Sequence, residues 1–146
     1  MKYIFWLGGI ILAITSLMVI AAQNDKINQF EVQSFQLNKK RYELEIAQSR
    51  PQLRQGLMGR SKLENNKGML FKFPFEGEHG IWMKNTLIPL TVAWLDSSYK
   101  VIGVKKLTPC HTASCPIFSI NQFSSYVLEL NIDNDIKVND QLYSLP

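Results

Sequence analysis

From Arg41 to the C-terminus, apolar and polar residues alternate in short runs, and one window carries the marks of a helix. Arg41-Tyr42-Glu43-Leu44-Glu45-Ile46 sets the pattern: Tyr42, Leu44 and Ile46 share one face, Glu43 and Glu45 the wet one, as in a half-buried strand. Met69 to Phe73 predicts a strand ending at Pro74. Thr91–Leu95 and Lys100–Leu107 flank Asp96-Ser97-Ser98 as a hairpin. Tyr126, Leu128, Leu130 and Ile132 alternate again; Ile136 with Val138, and Leu142 to Leu145, predict two further short strands. Ser49 can cap a helix and Pro51 sits in its first turn; the helix would cover Gln52 to Met58 and end at Gly56 or Gly59. Strands succeeding one another with little helix between them predict a mainly β fold: an antiparallel jelly-roll-like sandwich or partly closed barrel with one short helix.

An N-terminal hydrophobic helix is expected in front of that domain. Tyr3 to Ala22 carries no charge, and Lys2 precedes it. Twenty residues at about 1.5 Å each match a bilayer core of roughly 30 Å. A basic residue before such a run predicts export of the chain beyond Ala22. Residues 1–22 are therefore a signal anchor or a signal peptide. The run exceeds an ordinary signal centre, and Val19-Ile20-Ala21-Ala22 lacks the small-x-small exit, which favours the anchor. Residues 23–36 read as a tether and 37–146 as the β domain. The expected location is the cell envelope: anchored in the inner membrane facing the periplasm, or secreted after cleavage.

Export changes how Cys110 and Cys115 are read. In an oxidising compartment two cysteines at this spacing are most simply a disulfide that fixes the loop between them. The alternatives are a metal clip with His111, which lacks a second half-site, a thiol nucleophile, or two free thiols. The formal net charge of +4 is spread among interleaved acids and bases, with no basic stripe carrying aromatics, so no nucleic-acid partner is expected. Weak attraction to anionic headgroups stays compatible with this charge.

Four ordered blocks stand out: Gly56-Leu57-Met58 with Arg60; Gly68-Met69-Leu70-Phe71 with Phe73; Trp82-Met83-Lys84-Asn85-Thr86 with Pro89-Leu90; and Val127-Leu128-Glu129-Leu130-Asn131. Through them the chain resembles the domain of unknown function 192 family of bacteria and archaea. The resemblance implies a jelly-roll-like β fold and no established activity. Thr91 stands where the family typically shows an aspartate, so no carboxylate role carries over there. Asp133 and Asn139 stand near positions where the family tends to have glycine; both residue types tolerate positive φ.

The third block mixes a flat indole with several donors, as small-ligand sites do. Arg60 would add a fork for carboxylate or phosphate. The candidate contact residues are Arg60, Trp82, Lys84 and Asn85, with a small molecule, glycan or peptide as ligand. The competing reading makes Trp82 a core plug, Asn85 a turn residue and Arg60 the partner of a structural carboxylate. No cofactor is expected. Met58, Met69, Met83 and His79 would suit Cu(I), although methionine is also ordinary core filler. A hydrolase would need two carboxylates across a cleft, and Glu64, Glu76, Glu78, Asp96 and Glu129 lie nearest the blocks. Glu129 should point away from the Leu128 and Leu130 face. The sequence thus predicts a non-catalytic binding domain of the envelope, with an envelope hydrolase or a copper-binding protein as alternatives.

Overall fold

The computed structural model describes residues 29–146. The expected hydrophobic helix over residues 3–22 lies outside them; among the described residues no helix is long and apolar enough to cross a membrane. Among the described residues nine strands and one helix come in the order β1 (Glu31–Leu37), β2 (Lys40–Ala47), α1 (Arg50–Gln55), β3 (Lys67–Gly77), β4 (Ile81–Trp82), β5 (Leu90–Leu95), β6 (Val101–Leu107), β7 (Ile117–Phe118), β8 (Ser124–Asn131) and β9 (Leu142–Ser144). Seven strands form one strongly curled half-barrel sheet in the order β6-β5-β8-β3-β2-β1-β9, and β4 pairs separately with β7.

Local chemistry accounts for the connections. Asn38 and Lys39, both at positive φ (50° and 65°), close the β1–β2 hairpin with the twist a two-residue turn requires. Ser49 and Gln52 form a reciprocal capping box at the start of α1, Pro51 lies in its first turn, and Gly56 ends it. Asp96 Oδ1 accepts from the amides of Ser98 and Lys100, which folds the β5–β6 turn.

The wholly antiparallel expectation is corrected at one ladder: β2 and β3 run parallel. Two parallel neighbours need a crossover, and the segment containing α1 supplies it. Of the two expected forms the partly closed barrel is the nearer: the seven-stranded sheet is a half-barrel with apolar packing on both faces. Phe35, Leu44, Ile46, Leu70, Leu128 and Leu130 belong to one core cluster; Met69, Phe71, Val92, Trp94 and Val127 belong to the other. β5 is accordingly buried at every position. Glu43 and Glu45 are half-buried rather than fully wet.

Three boundary expectations also fail. Residues 31–36 are not tether but most of β1, paired with β2 on one side and β9 on the other. Pro74 does not end β3; the strand continues to Gly77 past a break in register between Lys72 and Gly77, the irregularity a proline without an amide hydrogen demands. Ile136 and Val138 form no strand: Ile136 is buried from a loop and Val138 is exposed. Gly68 lets the centre of the sheet close up, since a Cβ there would collide with Leu130 Cδ2 and the Glu129 carbonyl oxygen.

Candidate functional site

The second core cluster borders an opening. A cavity of about 80 Å³ lies between the α1 end and β4, walled by Leu57, Phe71, Phe73, Ile81 and Trp82, with Met58, Thr86 and Glu129 also lining it. Arg54 and Gln55, both exposed, line it from α1. Gly56 borders it at positive φ (49°), where a Cβ would press within 3.1 Å of the Phe71 ring, so a side chain here would be strained and would crowd the wall. Trp82 is 40% exposed, whereas Trp94 is fully buried with its Nε1–H donating to the His79 carbonyl at 2.7 Å. The core plug is therefore Trp94, and Trp82 is a wall.

Glu129 occupies the sheet side of this cavity. Its cross-strand neighbours are Met69 on β3 and Val92 on β5, and it is only 5% exposed. Among the described residues its carboxyl group has no hydrogen-bond partner and no counter-ion. Removal from water, with nothing charged to compensate, pushes its pKa up to about 8, so the acid is mostly protonated at neutral pH. Thr86 supplies a second buried polar group.

The candidate residues divide. Trp82 lines the cavity. Lys84 holds its Nζ 5.3 Å from the Trp82 ring centre, a cation over an aromatic face. Asn85 is a turn residue at φ 56°, and its carbonyl accepts the Gly59 amide at 2.9 Å, tying the first block to the third. Arg60 is not available as a ligand fork: Nη1 and Nη2 meet Glu45 Oε1 and Oε2 at 2.5 and 2.6 Å, so both prongs serve a structural carboxylate. Cys110 and Cys115 form a disulfide, which removes the thiol-nucleophile and metal-clip readings. The Cys110 amide donates to the Met83 carbonyl at 3.2 Å, so the linked loop is pinned to the third block.

The copper set gains no support from its placement. Met69 and Met83 are sealed in the second cluster and only Met58 reaches the cavity. His79 stacks on Phe73 with ring centroids 3.5 Å apart, and its Nε2 lies 3.0 Å from the Phe75 carbonyl oxygen. Burial lowers its pKa.

Comparison with known proteins bears on this arrangement. The profile of the domain of unknown function 192 family, described as an uncharacterized ACR, matches residues 32–142. The chain belongs to that family. A crystal structure from Sinorhizobium meliloti, described provisionally as a transcription regulator, is similar at TM-score 0.72 and 26% identity, covering 80% of this chain and 95% of its own. A protein of unknown function from Novosphingobium aromaticivorans is similar at TM-score 0.70 and 21% identity, covering 77% of this chain and 85% of its own. Among curated proteins none matches the chain.

All four blocks of this member of the domain of unknown function 192 family meet at the cavity. The first contributes Gly56, Leu57 and Met58, the second Phe71 and Phe73, the third Trp82 and Thr86, and the fourth Glu129. Thr91, at the aspartate position, donates to the Ile132 carbonyl at 3.1 Å and so holds the turn after β8. Asn139 does take positive φ (76°), whereas Asp133 is not among the positive-φ residues. Sequence alternation places Glu129 on the correct face but not in a cavity. The available signal was one carboxylate inside an otherwise apolar run, Val127 to Leu130.

Proposed function

We propose that this protein binds a small molecule, or the small terminal group of a glycan or peptide, in the Trp82–Glu129 cavity, without catalysis and in the cell envelope. The observation that carries the reading is a buried carboxyl group, without a partner among the described residues, facing a cavity whose outer wall is a half-exposed tryptophan. Apolar walls with a few placed polar groups are the usual make-up of a small-ligand site. The envelope location draws support from the apolar leader in the sequence and from the disulfide, a bond that persists outside the reducing cytosol.

The hydrolase alternative is less well supported. Glycan hydrolysis takes two carboxylates flanking the bond, and Glu129 is the one carboxylate among the residues lining the cavity. The regulator description of the Sinorhizobium neighbour is not adopted. The one helix among the described residues is six residues long, too short to present a reading face along a groove, and the charges are interleaved.

A thermal-shift screen of small polar–apolar compounds tests the proposal, because a ligand that prefers the native state raises its melting temperature. A hit should lose its effect in Trp82→Ala while that variant stays folded. A Trp82→Ala protein that unfolds, or a hit that stabilises it as well as the parent, would sink the assignment of this wall.

A further inference from the structure

The polarity of the cavity suggests which chemical class enters it, an inference that rests on the small-molecule reading above. We propose that the cavity receives a small organic ammonium group, with the Glu129 carboxylate as its counter-ion and the aromatic walls around its apolar body.

Glu129 has two acceptor oxygens and, among the described residues, no donor to fill them. A carboxyl group left so in an apolar enclosure is costly. A primary ammonium brings three N–H donors and the opposite charge, and the rings of Phe71, Phe73 and Trp82 wall its apolar body, although Lys84 already lies over Trp82 and His79 on Phe73. A carboxylate ligand would instead meet a second acid. A hard metal ion is a poor fit, since it asks for six or more oxygens and one carboxyl group lines this cavity. About 80 Å³ suits an alkyl group of a few carbons, with anything longer passing out beside Trp82.

Of the charged groups around the cavity, Lys84 already lies over the Trp82 ring, so an entering ammonium depends on the Glu129 carboxylate for its counter-charge. On β2, Glu45 lies beyond Met69 and is neutralised by Arg60. On β6, Lys105 lies beyond Val92 and is exposed. Arg54 lines the cavity from α1 and is exposed; it would favour a ligand whose far end is neutral or negative. His79, on the loop between β3 and β4, is occupied by Phe73 and the Phe75 carbonyl.

Binding carries a proton balance. At neutral pH Glu129 holds its proton, so an ammonium that docks on the carboxylate displaces one proton to solvent. Affinity should then rise about tenfold per pH unit up to pH 8 and level off above it. A neutral ligand accepting a hydrogen bond from the protonated acid would show the opposite trend.

The test titrates the protein with n-butylammonium, 1-butanol and butyrate at pH 6, 7 and 8.5, following the amide signals of Thr86 and Glu129 and the Trp82 indole by NMR. The expected result is n-butylammonium binding that tightens at least tenfold from pH 6 to 8.5, with butyrate weakest. Glu129→Gln should weaken n-butylammonium at least tenfold and abolish the pH trend. If 1-butanol or butyrate binds as well as n-butylammonium at pH 8.5, or Glu129→Gln keeps the ammonium affinity, the ammonium assignment falls while the cavity reading stands. If no probe moves these signals at any pH, the ammonium assignment and the cavity reading fall together.

Discussion

Glu45 and Glu129 stand in one cross-strand row of the sheet with Met69 between them, and of these two acids Glu45 alone has a counter-ion among the described residues. Two ladder spacings separate their backbones by about 9–10 Å. The same residue type on the same face therefore serves two ends. Glu45 is held by Arg60 as part of the scaffold, while Glu129 remains unmatched where the second core cluster opens.

That contrast predicts how stability responds to pH. The folded-state pKa of Glu129, about 8, lies above its ordinary 4.5, so the folded protein holds this proton more tightly than the unfolded chain does. The contribution is fully present below pH 4.5 and is lost as pH rises to 8. The decline should approach about 1.4 kcal/mol per pH unit at its steepest. Urea midpoints for the parent and Glu129→Gln should diverge between pH 5 and 8, with the Gln variant gaining in relative stability at the alkaline end. Parallel curves across this interval would contradict the burial argument.

Arg60 separates scaffold from site. Arg60→Lys keeps a charge but loses the fork, and Arg60→Ala leaves Glu45 without a partner. Because the pair is partly solvated, each change should cost only about 1–2 kcal/mol. Neither should alter ligand affinity more than about twofold, a difference of under about 0.5 kcal/mol. Denaturant unfolding and a binding isotherm on the same variants check both halves.

Trp82 and Trp94 should behave oppositely. Trp94→Ala removes a fully buried side chain and its hydrogen bond to His79, and should destabilise by about 3–5 kcal/mol. Trp82→Ala should cost less than about 2 kcal/mol, since much of the ring is already in water, while removing ligand binding. Equal stability losses in the two variants would make Trp82 a core residue after all.

Reducing the Cys110–Cys115 bond should lower stability by about 2 kcal/mol, the chain-entropy value for so short a loop. The Cys110 amide is bonded to the Met83 carbonyl and Trp82 is the next residue back along the chain. Reduction should therefore also shift Trp82 fluorescence and weaken ligand binding. A reduced protein with unchanged ligand affinity would show that the loop does not brace the wall.

Much of the fold was legible because its signals are local. The Tyr42-Leu44-Ile46 alternation, the Ser49–Pro51 helix start, Gly56 as its stop and the Asp96 turn each depend on neighbours within a few positions, and each appears where the pattern puts it. β1 escaped because its sequence, Glu31 to Leu37, is polar enough to pass for linker. It is a strand because β2 and β9 supply partners on both sides. Arg60 and Trp82 each admit two roles on local grounds, and the choice lay with residues far along the chain: Glu45 for the arginine and Trp94 for the tryptophan.

The amino-acid order by itself determined the family, the mainly β character, the pairing of the cysteines as the simplest state, and the face on which Glu129 would stand. Tertiary structure decided that β2 and β3 run parallel, that both faces of one sheet are covered, and that Glu129 meets Trp82 across a cavity while Glu45 is neutralised. The physical reason is range. Alternation and capping are fixed by contacts between near neighbours, whereas burial of a charge and the presence of its counter-ion depend on which distant strands and loops the completed sheet brings against it.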